Sequence, residues 1–227
     1  MITPDFERCT TLATELLYKQ NIEDRILNIQ HLDYGDKTII FDSIQNYAQI
    51  VKRPLSDFLS NDKQILKDGC TLILGNETYL VLYNDQICNW EHLNWTLAHE
   101  IGHIYMGHLQ DGKIEEIEAH YFAAQLFMPE YSIYMMTNKY ETVTKTDLIE
   151  IFGVSEEAAN KRLQTMRRKT LFSAGSKHKE IWNIQEKRVD LYYACKKNAT
   201  EYRNTLDFIL HLEAECNRRL FWQLSIN

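Results

Sequence analysis

Two short runs, CTLILG (70–75) and TYLVLYND (78–85), change the hydrophobic period of this chain from helical to β-like. They are rich in β-branched, aromatic and apolar residues and are separated by Asn76 and Glu77, which reads as a hairpin or two adjacent strands. On both sides the helical period dominates. Phe6, Cys9, Leu12, Ala13, Leu16 and Leu17 predict a helix within roughly 5–30, and a second is expected from Asp42 to about Phe58, interrupted near Pro54. After the strands, helices are expected from Asn94 to about His108 and from Lys113 to Met128, where Pro129 stops the chain. A small sheet packed on a helical body makes the expected fold class α+β, mostly helical.

The C-terminal third has a different character. TKTDLIEIFGVSEEAANKRLQTMRR (144–168) has the layout of a helix-turn-helix: Leu148, Ile149 and Phe152 on the first helix, Gly153 at the turn, Ser155 as N-cap, then Ala158, Ala159 and Leu163 as an apolar stripe. A loop-like SAGSKHK follows, and then two expected helices. Tyr202, Leu206, Ile209, Cys216 and Leu220, ending at Phe221 and Trp222, predict an amphipathic stretch in the tail. Charge divides in the same place: the chain carries a net −14 up to residue 160 and +7 beyond it.

With 227 residues, 44% apolar and 25% charged, the chain is long enough for a sizeable core and is neither disordered nor membrane-like in composition. MITPDFERCT lacks the basic and apolar regions of a signal peptide, so a cytoplasmic location is expected, with no membrane association. Cys9, Cys70, Cys88, Cys195 and Cys216 form no CxxC and no repeated spacing; they are read as reduced thiols.

The chemistry concentrates in TLAHEIGHIYMGHLQ (96–110). His99-Glu100-Ile101-Gly102-His103 fits HExxH: residues four apart share a helical face, so the two imidazoles can hold one ion while Glu100 faces the water it activates. Zinc suits such a mixed imidazole and carboxylate site. A third ligand is expected on the next helix, IEEIEAHYFAAQLFMP, where Glu116 shares a face with Ala119 and Ala123. Glu118, about 200° away round that helix, is the alternative. His108 lies about 140° off the ligand face and is expected to make a local structural hydrogen bond. His92 and His120 are read as surface or supporting residues.

The run from Trp95 to Pro129 resembles the ImmA/IrrE family of zinc metallopeptidases, which pairs an HExxH helix with a glutamate-bearing helix and an FA-x-x-L-x-MP signature. Phe122, Ala123, Leu126, Met128 and Pro129 match that signature, and Glu116, six residues before Phe122, falls where the resemblance places the third ligand. The resemblance spans about 45–165; Phe127 stands where leucine is usual, and the tail beyond about 170 is unlike the family. The expected organisation is a metallopeptidase domain over 1–138 with N-terminal helices, a helix-turn-helix-like unit over 139–169, and a basic helical extension over 170–227.

The expected activity is that of a zinc endopeptidase. Zn2+ would be held by His99, His103 and Glu116, with Glu100 as the catalytic acid and base and the TYLVLYND strand as the edge on which substrate pairs. Family resemblance implies a protein substrate, a helix-turn-helix repressor, and hence an anti-repressor of the prophage, mobile-element or stress-response type. The rival expectation is a DNA-binding regulator using 144–168 and the basic tail. Glu156 and Glu157 at the start of its recognition helix, and the acidic body, argue against direct nucleic-acid binding.

Overall fold

The computed structural model describes residues 3–20, 26–60, 65–110, 112–140, 142–166 and 175–202. Among them the chain forms α1 (Phe6–Tyr18), β1 (Thr38–Ser43), α2 (Ile44–Val51), β2 (Gly69–Gly75), β3 (Thr78–Tyr83), α3 (Trp90–Met106), α4 (Lys113–Phe127), α5 (Glu130–Tyr140), α6 (Lys145–Phe152), α7 (Glu156–Met166) and α8 (Ser176–Tyr202). The class is α+β and mostly helical. The sheet is mixed, in the order β1-β3-β2, with β1 parallel and β2 antiparallel to β3.

Side chains alternate across the sheet, so its two faces bury different partners. Leu80 and Leu82 on β3, with Cys70 and Leu72 on β2, pack against Ile44, Ala48 and Phe58. The opposite face carries Val81 and Thr71 and meets α3. Behind α3 lie α4 and α1, where Ile101, Phe122, Leu126 and Leu16 are fully or almost fully buried.

β1 is an addition to the expected pair of strands. The helix expected from Asp42 begins at Ile44, because the strand runs without a turn into a residue that caps it: Ser43 Oγ accepts from the Asn46 amide at 3.0 Å. α1 is shorter than expected and ends at Tyr18. α5 starts directly after Pro129, and α8 begins at Ser176, inside the SAGSKHK run expected to be a loop, and continues through Tyr202. The rest of the tail, including the stripe from Leu206 to Trp222, lies outside the described residues.

Gly153 does supply a left-handed turn between α6 and α7 (φ 64°), and Ser155 Oγ accepts from the Ala158 amide. α7 is then locked to the end of α4 by Arg162, which is 2% exposed. Its Nε donates to the Met128 carbonyl at 2.9 Å, its Nη2 donates to the same oxygen and to Gln125 Oε1, and Glu130 lies 3.5 Å from Nη1.

The chain divides into two compact units, Met1–Gln185 and Glu186–Asn227, with α8 passing from one to the other. Ile181 and Trp182 are buried and Gln185 accepts from Ser132 Oγ, so the start of α8 belongs to the packing of the first unit. In the second, Lys196 Nζ lies 6.0 and 5.5 Å from the ring centres of Tyr192 and Tyr193.

Candidate metal centre

The crossing of α3 and α4 sets the geometry. A Cβ on Gly102 would stand 2.9 Å from the Ala119 carbonyl oxygen and 3.0 Å from its Cα, so only glycine lets the two backbones approach this closely. His99 and His103 are four positions apart on α3, and Glu116 lies about one turn before Ala119 on α4, so all three converge on one side of the crossing.

The structure brings His99, His103 and Glu116 together. The two Nε2 atoms are 3.1 Å apart, and the Glu116 carboxylate oxygens lie 3.3 Å from His99 Nε2 and 3.5 Å from His103 Nε2. An ion bound tetrahedrally at 2.0–2.1 Å would place its donor atoms about 3.4 Å apart, so this donor set fits zinc in both chemistry and spacing. The imidazoles are nearly buried, whereas Glu116 keeps its carboxylate toward the cleft. The hydrogen bond to His99 leads in holding the Glu116 pKa down to about 2, partly opposed by desolvation and aided by the neighbouring histidines. It is therefore ionised near neutral pH, the form a ligand needs.

Glu100 stands beside the three. Thr71 Oγ1 on β2 donates to its Oε2 at 2.7 Å. Gly69 makes this proximity possible, since a Cβ there would come within 2.8 Å of Thr96 Cγ2 and 3.3 Å of Glu100 Oε1. Nothing in the sequence pattern singled out Thr71; its role depends on which face of the sheet meets α3.

Glu118 is turned away from this group. Its Oε2 faces His108 Nε2 at 2.8 Å, and His108 Nδ1 faces His103 Nδ1 at 3.0 Å. Gly107 creates that arrangement: its left-handed turn (φ 73°) ends α3 and lets the His108 amide donate back to the His103 carbonyl. His120 lies on the other flank with its ring 4.3 Å from that of His99. Desolvation, followed by the neighbouring His99, lowers its pKa to about 4, which leaves a neutral imidazole near pH 7. His92 is exposed and pairs with Asp68.

His99, Glu100, His103, Glu116, His108 and His120 border a cleft of about 1500 Å³, larger than the ~300–1,000 Å³ usual for small-molecule pockets. β2 forms one wall and Glu157, Ala158 and Lys161 of α7 contribute to another.

Residues 57–164 match the family model of the IrrE N-terminal-like domain, Peptidase_M78. These 108 residues, a little under half of the chain, are similar to the IrrE N-terminal-like family. A search of curated proteins gives no match. The match points to an ImmA/IrrE-type metallopeptidase domain, which implies a metal cofactor and a protein substrate. The IrrE-like domain spans β2 through α7 and so includes the three converging donors, Glu100 and Thr71; α1, β1 and α2 precede it. Phe127, where the family usually has leucine, stacks on Trp95 of α3 with ring centres 5.8 Å apart. No helix among the described residues is long and apolar enough to cross a membrane.

Proposed function

We propose that the chain is a zinc endopeptidase acting on a helix-turn-helix repressor in the cytoplasm, with His99, His103 and Glu116 as ligands and Glu100 as general base and acid. The observation that carries this reading is the convergence of three zinc-type donors beside a carboxylate held by Thr71 in an open cleft. When bound, zinc supplies Lewis acidity to the scissile carbonyl and makes water nucleophilic near neutral pH. Glu100 takes the proton of the attacking water and returns it to the leaving amine. Thr71 fixes the carboxylate for both transfers.

The substrate strand pairs with β2. TYLVLYND was the expected edge, but β3 is the middle strand and is paired on both sides. The Asn84 amide donates to the Asp68 carbonyl, and in this register the alternation of an antiparallel ladder turns Cys70 and Leu72 toward β3 as well. Gly69, Thr71 and Ile73 therefore direct their main-chain groups to the other side, where β2 borders the cleft. A substrate in extended form would meet these groups as an added strand, directly beside Glu100.

The DNA-binding alternative has less support. α7, its recognition helix, borders the cleft with one face and commits Arg162 to a buried network with another.

The test uses the purified chain and a helix-turn-helix repressor encoded beside its gene. About one zinc per chain, cleavage abolished by a chelator and restored by zinc, and loss of both metal and cleavage in His99→Ala are expected. A metal-free wild type, or cleavage that survives chelation, refutes the zinc mechanism; a low-salt gel shift without cleavage would favour the DNA-binding reading.

A further inference from the structure

The two imidazoles are supported differently. His99 Nδ1 is buried with no hydrogen-bond partner among the described residues, and the ring rests on His120. His103 Nδ1 begins a chain of contacts: 3.0 Å to His108 Nδ1, 2.8 Å from His108 Nε2 to Glu118 Oε2, and 2.6 Å from the Asp5 amide to Glu118 Oε1. The far end of this chain has one fixed direction, because a backbone amide can only donate and an ionised carboxylate can only accept.

That direction propagates inward. In its neutral form His108 donates its Nε2–H to Glu118 Oε2, and the lone pair of that imidazole is then on Nδ1. His108 Nδ1 then accepts from His103 Nδ1, and the His103 lone pair is left on Nε2, the atom facing His99 and Glu116. We propose that Glu118 is a positioning residue for the metal centre: acting through His108, it holds His103 in the ligating tautomer, and the Asp5 amide at the start of α1 locks Glu118 in place. The inference rests on the zinc reading above. It also brings a segment that precedes the family-matched domain into the support of the site: the Phe6 ring lies 4.7 Å from that of Tyr121, and Cys9 Sγ donates to the Glu118 carbonyl, so α1 is anchored on the turn of α4 that carries Glu118.

The experiment measures zinc affinity by chelator competition in the full chain, with circular dichroism and melting to establish that each variant is folded. Glu118→Ala and His108→Ala should each weaken zinc binding about 10–100-fold, and the double variant should be little worse than either single one, since both break the same chain. Glu118→Gln keeps one acceptor oxygen and should fall between Glu118→Ala and wild type. Asp5→Pro removes the amide donor near a compatible backbone angle (φ −88°) and should bind zinc more weakly than Asp5→Ala, which keeps the amide and loses only the helix cap. In metal-free protein, the ring 15N shifts of His103 should report the Nδ1–H tautomer, and in Glu118→Ala a mixture. Zinc affinity within twofold of wild type in folded Glu118→Ala and His108→Ala, or an unchanged His103 spectrum, overturns the inference alone. A wild type that binds no zinc overturns it together with the proposed function.

Discussion

The two ends of α4 handle buried polar groups in opposite ways. At its C-terminal end the Arg162 guanidinium donates to the Met128 carbonyl and Gln125 and faces Glu130, whose Oε1 accepts from Tyr121. Nε and Nη2 meet acceptors, and the guanidinium charge is matched by Glu130, 3.5 Å from Nη1. Near its N-terminal end, Glu116 brings a carboxylate to two imidazole nitrogens 3.1 Å apart, so three groups able to offer lone pairs point at one another. A network of opposite charges, donors and acceptors holds the fold together, whereas converging acceptors gain most when a cation joins them. Substitutions at the two ends should therefore separate into losses of chemistry and losses of stability.

The largest effect belongs to Glu100. Glu100→Gln is nearly isosteric but cannot take up a proton near neutral pH, so turnover of a cognate repressor should fall by about 10²–10⁴ while zinc content stays at the wild-type level. Wild-type turnover would remove Glu100 from the mechanism. At the C-terminal end of α4, Arg162→Ala on α7 leaves Glu130 buried without its charge partner and should cost about 3–5 kcal/mol of stability, the usual penalty for breaking a buried pair. Zinc affinity of the folded fraction should be unchanged. If Arg162→Ala melted like the wild type but lost its metal, the two ends would be coupled and the division drawn above would fail.

Gly102→Val probes the crossing on which the metal-site end of α4 depends. Because the new Cβ meets backbone and not a flexible side chain, α3 and α4 must separate; overpacking of this kind costs about 1–3 kcal/mol. The displacement moves Glu116 away from the histidines, so zinc affinity should drop with stability, unlike the outcome at Arg162. Calorimetry and chelator competition on one preparation read both quantities.

How much of this could be read from sequence follows from how far each contact reaches along the chain. His99, Glu100 and His103 lie within about one helical turn and follow from spacing, whereas spacing on the next helix favoured Glu116 but left Glu118 as the alternative, and the resemblance to the metallopeptidase family was needed to choose. The sheet's strand order was not: whether β2 or β3 forms the open edge depends on β1, whose pairing with β3 spans about forty residues and whose end merges into α2 through Ser43. The partners of Glu118 were hidden for the same reason. His108 returns to His103 through a glycine turn that sequence does suggest, but the Asp5 amide reaches Glu118 across 113 positions and leaves no periodic trace. Nothing in the sequence separates Arg162 from the other basic residues beyond residue 160, because only packing turns a cation inward.

The smallest effect is expected at Thr71, which tests whether the sheet supports the chemistry or only borders it. Thr71→Val keeps the branched shape that suits a strand and removes the hydroxyl that donates to Glu100 Oε2. A hydrogen bond to a charged group contributes about 1.5–3 kcal/mol, but part of that is recovered by water because Thr71 lines an open cleft. Turnover should then fall about tenfold, near the lower end of that range, with the loss in kcat and not in KM, since the main-chain groups of β2 that would bind substrate are untouched. Melting temperature and zinc content should not move. If Thr71→Val instead raised KM and left kcat alone, the side chain would be contacting substrate, and the orientation of Glu100 would have to come from its other neighbours on α3.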